Sequence, residues 1–108
     1  MSYVEELFSI QGKVILCTGG AGILMSAISK GLGKAGAKVI LTDIAPLEER
    51  LEALKKEGIE AKGYYMDAMD KKSVEEVAKR VKGEFGGVDA LLNAAGGNRE
   101  DATTSSEV

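Results

Sequence analysis

The sequence predicts an α/β fold in which four strands and three helices alternate, β-α-β-α-β-α-β, around a four-stranded parallel sheet. Three observations carry this expectation. The runs "KVILCT" and "KVILTD" are almost wholly apolar and rich in β-branched residues, as strands covered on both faces are. Between such runs lie segments whose apolar residues recur three and four positions apart, the spacing of a helix face. Most glycines, and the one proline, fall at the joints between the two kinds of segment. Alternation of this kind builds a parallel sheet with right-handed crossovers.

Taken in order, residues 13–18, "KVILCT", form the first strand, and the glycine-rich turn "GGAG" follows. "LMSAISKGLGKAG", residues 24–36, places Leu24, Ile28, Leu32 and Ala35 on one helix face, with Gly36 as the stop. Gly31 and Gly33 weaken that helix by about 1 kcal/mol each relative to alanine, which suggests close packing against a neighbour. Residues 38–43, "KVILTD", form the second strand. Pro46 suits the first position of the next helix. Leu47, Leu51 and Leu54 share that helix's apolar face, and Gly58 ends it. Glu48, Glu49 and Glu52 near its start and Lys55 and Lys56 near its end oppose the helix dipole. Residues 60–67, "EAKGYYMD", give a weaker third strand. "DKKSVEEVAKRVKGEFG" gives a helix with Val74, Val77, Ala78, Val81 and Phe85 on one face. "VDALLNAAG", residues 88–96, is a fourth strand running into a glycine turn. One domain, residues 1–108, accounts for the whole chain, with 97–108 as a loop-like tail.

Composition narrows the function. At 44% apolar and 29% charged residues, the chain reads as globular rather than disordered. Its net charge of −3, with both signs interspersed, gives no basic patch for nucleic acid. No apolar run is long enough to span a membrane, and the acidic start "MSYVEELF" is not a secretory signal. A single cysteine fits a reducing, cytoplasmic setting. The absence of histidine removes Ser-His-Asp and Cys-His catalysis from this chain and leaves little to hold zinc. Cys17 lies in a strand without an adjacent base and reads as core.

The loop "CTGGAGILMSA" carries the strongest chemical signal. A strand, a glycine turn and a helix N-terminus together aim backbone N–H groups at a phosphate. Gly20, Gly22 and Met25 stand at the three glycine positions of G-x-G-x-x-G, so the first two fit and the third does not. Asp43 ends the second strand 24 residues beyond Gly19. An acid there takes the ribose hydroxyls of NAD and repels the extra phosphate of NADP. The plainer alternatives are a simple strand-to-helix turn for Gly19 to Gly22 and a solvated strand-end or cap acid for Asp43.

These segments together resemble the N-terminal half of the short-chain dehydrogenase/reductases. "GKVILCTGGAGIL" is similar to their first strand and T-G-x-x-x-G-x-G loop, and "GAKVILTD" to their second strand with its acidic end. "MDAMDKKSVEEV" is similar to the segment before their third helix. "VDALLNAAG" is similar to their fourth strand and N-N-A-G motif, here Asn93-Ala94-Ala95-Gly96. Within the family, "TGGAGIL" with "NAAGGNREDATT" looks most similar to sugar-acid enzymes of the mannonate oxidoreductase and gluconate dehydrogenase type. The resemblance implies half of a doubly wound Rossmann fold that binds NAD. It places the pyrophosphate on Gly19 and the backbone of Gly20, Ala21, Gly22, Ile23 and Leu24. It places the adenosine ribose on Asp43 and Ile44, and the adenine on Asp67 and Ala68. Asn93, Ala94 and Gly96 then line the nicotinamide ribose. Asp67 could instead be a helix-entry acid, and Asn93 a turn-stabilising amide.

The sequence departs from the family in two ways. Ile23 and Met25 stand where the family's loop has its second and third glycines, and Gly22 is shifted by one place. A flexible methionine can fill an irregular gap. The second departure is larger. The resemblance implies catalysis by a tyrosine with a lysine four residues on, a serine and a relay asparagine, all downstream of the N-N-A-G motif. Four residues beyond Tyr3, Tyr64 and Tyr65 stand Leu7, Ala68 and Met69, so none forms that pair. Ser73 and Ser105 have no partner base. The expectation is a cofactor-binding half without its catalytic half, inactive alone or completed by a separate second half. The alternative is a self-associating structural unit that binds no nucleotide. An apolar "VDALLN" edge would seek a partner strand, so the sequence predicts a homo-oligomer, most simply a two-fold dimer through this edge or the bare face beside it.

Overall fold

The computed structural model describes residues 9–93. It contains β1 (Val14–Thr18), α1 (Ile23–Lys34), β2 (Lys38–Asp43), α2 (Glu48–Lys56), β3 (Ala61–Tyr65), α3 (Lys71–Phe85) and β4 (Ala90–Asn93). The strands form one parallel sheet in the order β3-β2-β1-β4. This is the four-stranded half of a doubly wound α/β fold that the sequence predicts.

The two apolar runs become the central strands because both of their faces are covered. β1 is buried at every position, and Val39, Ile40 and Leu41 of β2 are at most 1% exposed. Each such side chain stabilises the fold by about 1.5–3 kcal/mol relative to an exposed one. Alternation along the strands sends Ile15, Cys17, Val39 and Leu41 to one face, where they meet Met25 of α1 and Leu54 of α2. Val14, Leu16 and Ile40 point the other way, against Tyr64 of β3 and Val77 and Val81 of α3. Two helices therefore cover one face and one helix covers the other.

The exposure of the helix faces differs from a fully buried stripe on α1 and α3. On α1 the buried residues are Met25 and Ser29, while Leu24 is 69% exposed and Ile28 is 37% exposed. The helix is turned by about one residue from the expected face. Ser29 tolerates burial because its hydroxyl donates to the Ser26 carbonyl at 3.1 Å. On α3 only Val77 and Val81 are buried. Val74 and Ala78 instead line an open groove of about 570 Å³ beside β1 and β4, on the singly covered face. Pro46 lies outside α2, one residue before its N-cap Leu47. Gly33 does serve close packing, since a Cβ there would lie 2.3 Å from Ile59 Cγ2, whereas one at Gly31 would meet nothing within 4 Å.

Candidate cofactor-binding site

In a parallel sheet the carboxyl ends of all strands lie on one side, and register fixes which residues meet there. Thr18 stands beside Thr42 and Asn93, and Asp43 beside Tyr65. The chain leaves β1 for β2 on one side, and β4 lies on the other. The crevice between the ends of β1 and β4 is thus the switch point at which open α/β sheets hold their ligands. The loop after β1, Asp43 after β2, Asp67 after β3 and Asn93 at the end of β4 all gather at this edge.

The loop is shaped by contacts that only glycine permits. Gly19 has φ +68°, a left-handed conformation in which a side chain is strained. Gly20 is buried against β2, where a Cβ would lie 2.8 Å from Leu41 Cβ and 3.3 Å from Leu41 Cα. Its N–H donates to the Thr42 carbonyl at 2.9 Å, which moors the loop to β2. The Gly22 N–H donates to the Gly19 carbonyl at 3.1 Å and closes the turn. Gly22 is then the N-cap of α1. No side chain caps the helix, and no acid stands in its first turn. The amides of the first turn have no acceptor within the helix, and the dipole is positive at this end. The end of α1 thus suits an anion.

Ile23 and Met25 do not obstruct this arrangement. The Ile23 side chain is 82% exposed and projects to solvent. Met25 is 3% exposed and packs in the cluster with Ile15 and Cys17, filling the space between α1 and the sheet.

Asp43 is tied into the site on both oxygens. Oδ2 accepts from the Ala21 N–H at 2.9 Å and Oδ1 from the Ala45 N–H at 3.0 Å. These bonds are those of a strand-end acid that holds the loop, and a carboxylate oxygen that accepts one bond can accept another. Ile44 beside it is 62% exposed. Asp67 makes a local turn, its Oδ1 accepting from Met69 N–H at 3.0 Å. The helix-entry role falls to Asp70 instead, whose Oδ1 accepts from Lys72 N–H at 3.0 Å as the N-cap of α3. Ser73 Oγ accepts from Asp67 N–H at 2.9 Å and joins that helix to the end of β3. Ala68 is exposed at the same edge. Asn93 Oδ1 accepts from the Thr18 hydroxyl at 2.6 Å, a bond across the switch-point crevice between β1 and β4. Ala94 and Gly96 lie outside the described residues.

Two contacts here carry no sequence signal. Arg50 of α2 donates from Nε to the Ala21 carbonyl at 3.1 Å, although its setting among glutamates and lysines reads as a solvated face. Thr18 reaches Asn93 across 75 residues of chain. Neither partner is legible from local spacing.

Cys17 and Tyr64 are both shifted away from proton transfer near neutral pH. Burial pushes the Cys17 thiol up to about 11. Burial, followed by its hydrogen bond to Glu84, pushes Tyr64 up to about 12. A proton donor for neutral pH needs the opposite shift. Lys62 and Arg80 stand over the Tyr64 ring at 5.5 and 5.1 Å, and Lys62 pairs with Glu84 at 3.0 Å. This cluster joins β3 to α3.

Comparison with known proteins agrees with this geometry. The short chain dehydrogenase family model matches residues 13–108. The chain is 37% identical over 103 residues to the uncharacterized oxidoreductase UxuB of Bacillus subtilis (strain 168), covering 92% of this chain and 36% of that protein. It is 34% identical over 103 residues to the 5-keto-D-gluconate 5-reductase of Escherichia coli (strain K12), covering 94% of this chain and 41% of that protein. A solved structure assigned as a D-mannonate oxidoreductase from Haemophilus influenza, with bound NAD, matches at a TM-score of 0.77 and 30% identity, over 97% of this chain and 38% of that one. The chain therefore spans 36% to 41% of the length of these relatives. With its motifs in sequence order, its strands in this arrangement and a family match from residue 13 onward, the chain belongs to the short-chain dehydrogenases.

Proposed function

We propose that this chain binds NAD(H) at the carboxyl edge of its sheet, as the cofactor-holding part of a sugar-acid oxidoreductase. The observation that carries the reading is the joint placement of an uncapped α1 N-terminus and the Asp43 carboxylate on either side of one glycine loop. The backbone from Gly19 to Leu24 would hold the diphosphate. Asp43 and Ile44 would hold the adenosine ribose, Asp67 and Ala68 the adenine, and Asn93 with Ala94 and Gly96 the nicotinamide ribose. The nicotinamide would supply hydride transfer. Asp43 favours NAD over NADP, because the 2′-phosphate of NADP would meet a carboxylate. Sugar acids are the substrate class supported by the names of the relatives. No Tyr-x-x-x-Lys pair is present in residues 1–108, so the chain alone binds the cofactor without turning over a substrate.

The test is a titration of the 108-residue chain with NADH and NADPH, followed by the fluorescence of the reduced nicotinamide. The reading expects saturable binding of NADH and weaker binding of NADPH. Equal indifference to both would refute it.

A second reading rests on a separate observation. Among the described residues β4 is an edge strand, Leu91 on it is 62% exposed, and the apolar groove beside it is open. A second copy of the chain paired along this edge would cover both. A self-associating unit of this kind needs no nucleotide.

A further inference from the structure

The backbone of Ala21 is held on both sides by side chains from outside the loop, its N–H in the peptide to Gly20 and its carbonyl in the peptide to Gly22. Its N–H donates to Asp43 Oδ2 at 2.9 Å, and its carbonyl accepts from Arg50 Nε at 3.1 Å. Among the described residues neither group has a backbone partner. Gly20 is moored to Thr42 and Gly22 bonds to Gly19, so Ala21 is the part of the loop that its own backbone leaves unheld.

Arg50 is well suited to this task. It stands in the first turn of α2 and is half-buried. Positions three and four away along the helix hold Pro46, Leu47, Ala53 and Leu54, none of them acidic. No helical ion pair competes for the side chain, and among the described residues it forms no salt bridge. The donor facing Ala21 is Nε, the rigid inner nitrogen of the guanidinium, rather than a tip nitrogen. Hydrogen bonding at a fixed place, rather than charge alone, is what this geometry provides.

We propose that Arg50 is a positioning residue for the dinucleotide, acting through Ala21. With Asp43 it clamps the two peptide groups that flank Ala21, and so fixes the loop against α2 and β2 in the form that leaves the first amides of α1 open. This rests on the nucleotide-binding reading above. In a loop with Ile23 and Met25 at glycine positions, the clamp supplies from outside some of the definition that the loop's own sequence lacks.

The test separates the donor from the charge. In Arg50→Gln the amide nitrogen branches from the same δ carbon as Nε, so a donor remains without the charge. Arg50→Met keeps the stem and has no donor. The proposal expects Arg50→Met to bind NADH about tenfold more weakly than the parent, and Arg50→Gln to stay within about threefold. Hydrogen exchange at the Ala21 amide, measured without nucleotide, should speed up in Arg50→Met and stay near the parent rate in Arg50→Gln. Should Arg50→Met not fold, Arg50→Leu, which likewise has neither donor nor charge, takes its place in the comparison. Parent-like binding by the donor-free variant overturns the proposal, and so does equal loss in both variants, which would make charge the cause. A parent chain that binds no NADH overturns the nucleotide-binding reading, and the role of Arg50 with it, before any variant is compared.

Discussion

Replacing Gly20 by alanine is the sharpest probe of how the loop is held. The new Cβ would lie 2.8 Å from Leu41 Cβ, 3.2 Å from Leu41 Cδ2 and 3.3 Å from Leu41 Cα. Carbon atoms prefer separations of about 3.5–4.0 Å, so something must move. Leu41 cannot easily do so: it is 0% exposed and lies in β2 between β1 and β3, paired with Cys17 and Gly63. The loop must lift instead, which stretches the 2.9 Å bond from Gly20 N–H to Thr42. Overpacking of this sort costs about 1–3 kcal/mol, and the contact with backbone places Gly20→Ala in the upper half of that range. For a domain near 100 residues, about 2–3 kcal/mol lowers Tm by roughly 10–20 °C. Gly22→Ala is the control, because its Cβ would meet only the Gly19 carbonyl at 3.3 Å. Thermal unfolding followed by circular dichroism, with urea midpoints alongside, measures both. A Gly20→Ala chain that melts within about 2 °C of the parent would refute the argument that loop and strand are in rigid contact.

Three further outcomes follow from the same geometry. Asp43→Asn keeps one acceptor oxygen for the loop and removes the charge, so the preference for NADH over NADPH should narrow by about tenfold; an unchanged ratio in paired titrations would show that Asp43 does not face the ribose. Leu91→Lys, on the exposed edge strand, should shift sedimentation at micromolar concentration from dimer to monomer, and a monomeric parent would remove the self-association reading. Tyr64, raised from 10.0 to about 12, favours its neutral form in the fold. Its contribution is complete below pH 10 and is lost as pH rises toward 12. Cys17, raised from 9.0 to about 11, acts in the same sense over pH 9–11. Urea midpoints across this range should therefore fall less steeply in Tyr64→Phe than in the parent, and parallel curves would contradict the shift.

The parts of the fold that were legible in the sequence are those fixed by local pattern. β1 and β2 are read from unbroken apolar runs, because a strand covered on both faces has no polar positions. Asp43 is read from its place at the end of the second run. α1 was harder, since Leu24 and Ile28 look like a buried face, while the sheet takes Met25 and Ser29. A buried serine that satisfies its hydroxyl within its own helix leaves no polar group unpaired, and hydropathy does not register this. On α3 the expected face is kept, but Val74 and Ala78 on it line an open groove, because no second helix closes that side of the sheet among the described residues. The site was legible in its backbone and not in its braces. Arg50 and Thr18 act on partners 29 and 75 residues away, and only the fold brings such pairs together.

The central claim is that this chain holds a nicotinamide dinucleotide against its glycine loop and Asp43. Calorimetric titration with NADH of the parent and of Asp43→Ala tests it most directly. The account predicts saturable heat with the parent and its loss in the variant, with the variant still folded by circular dichroism. No heat from the parent, or equal heat from both, would contradict it.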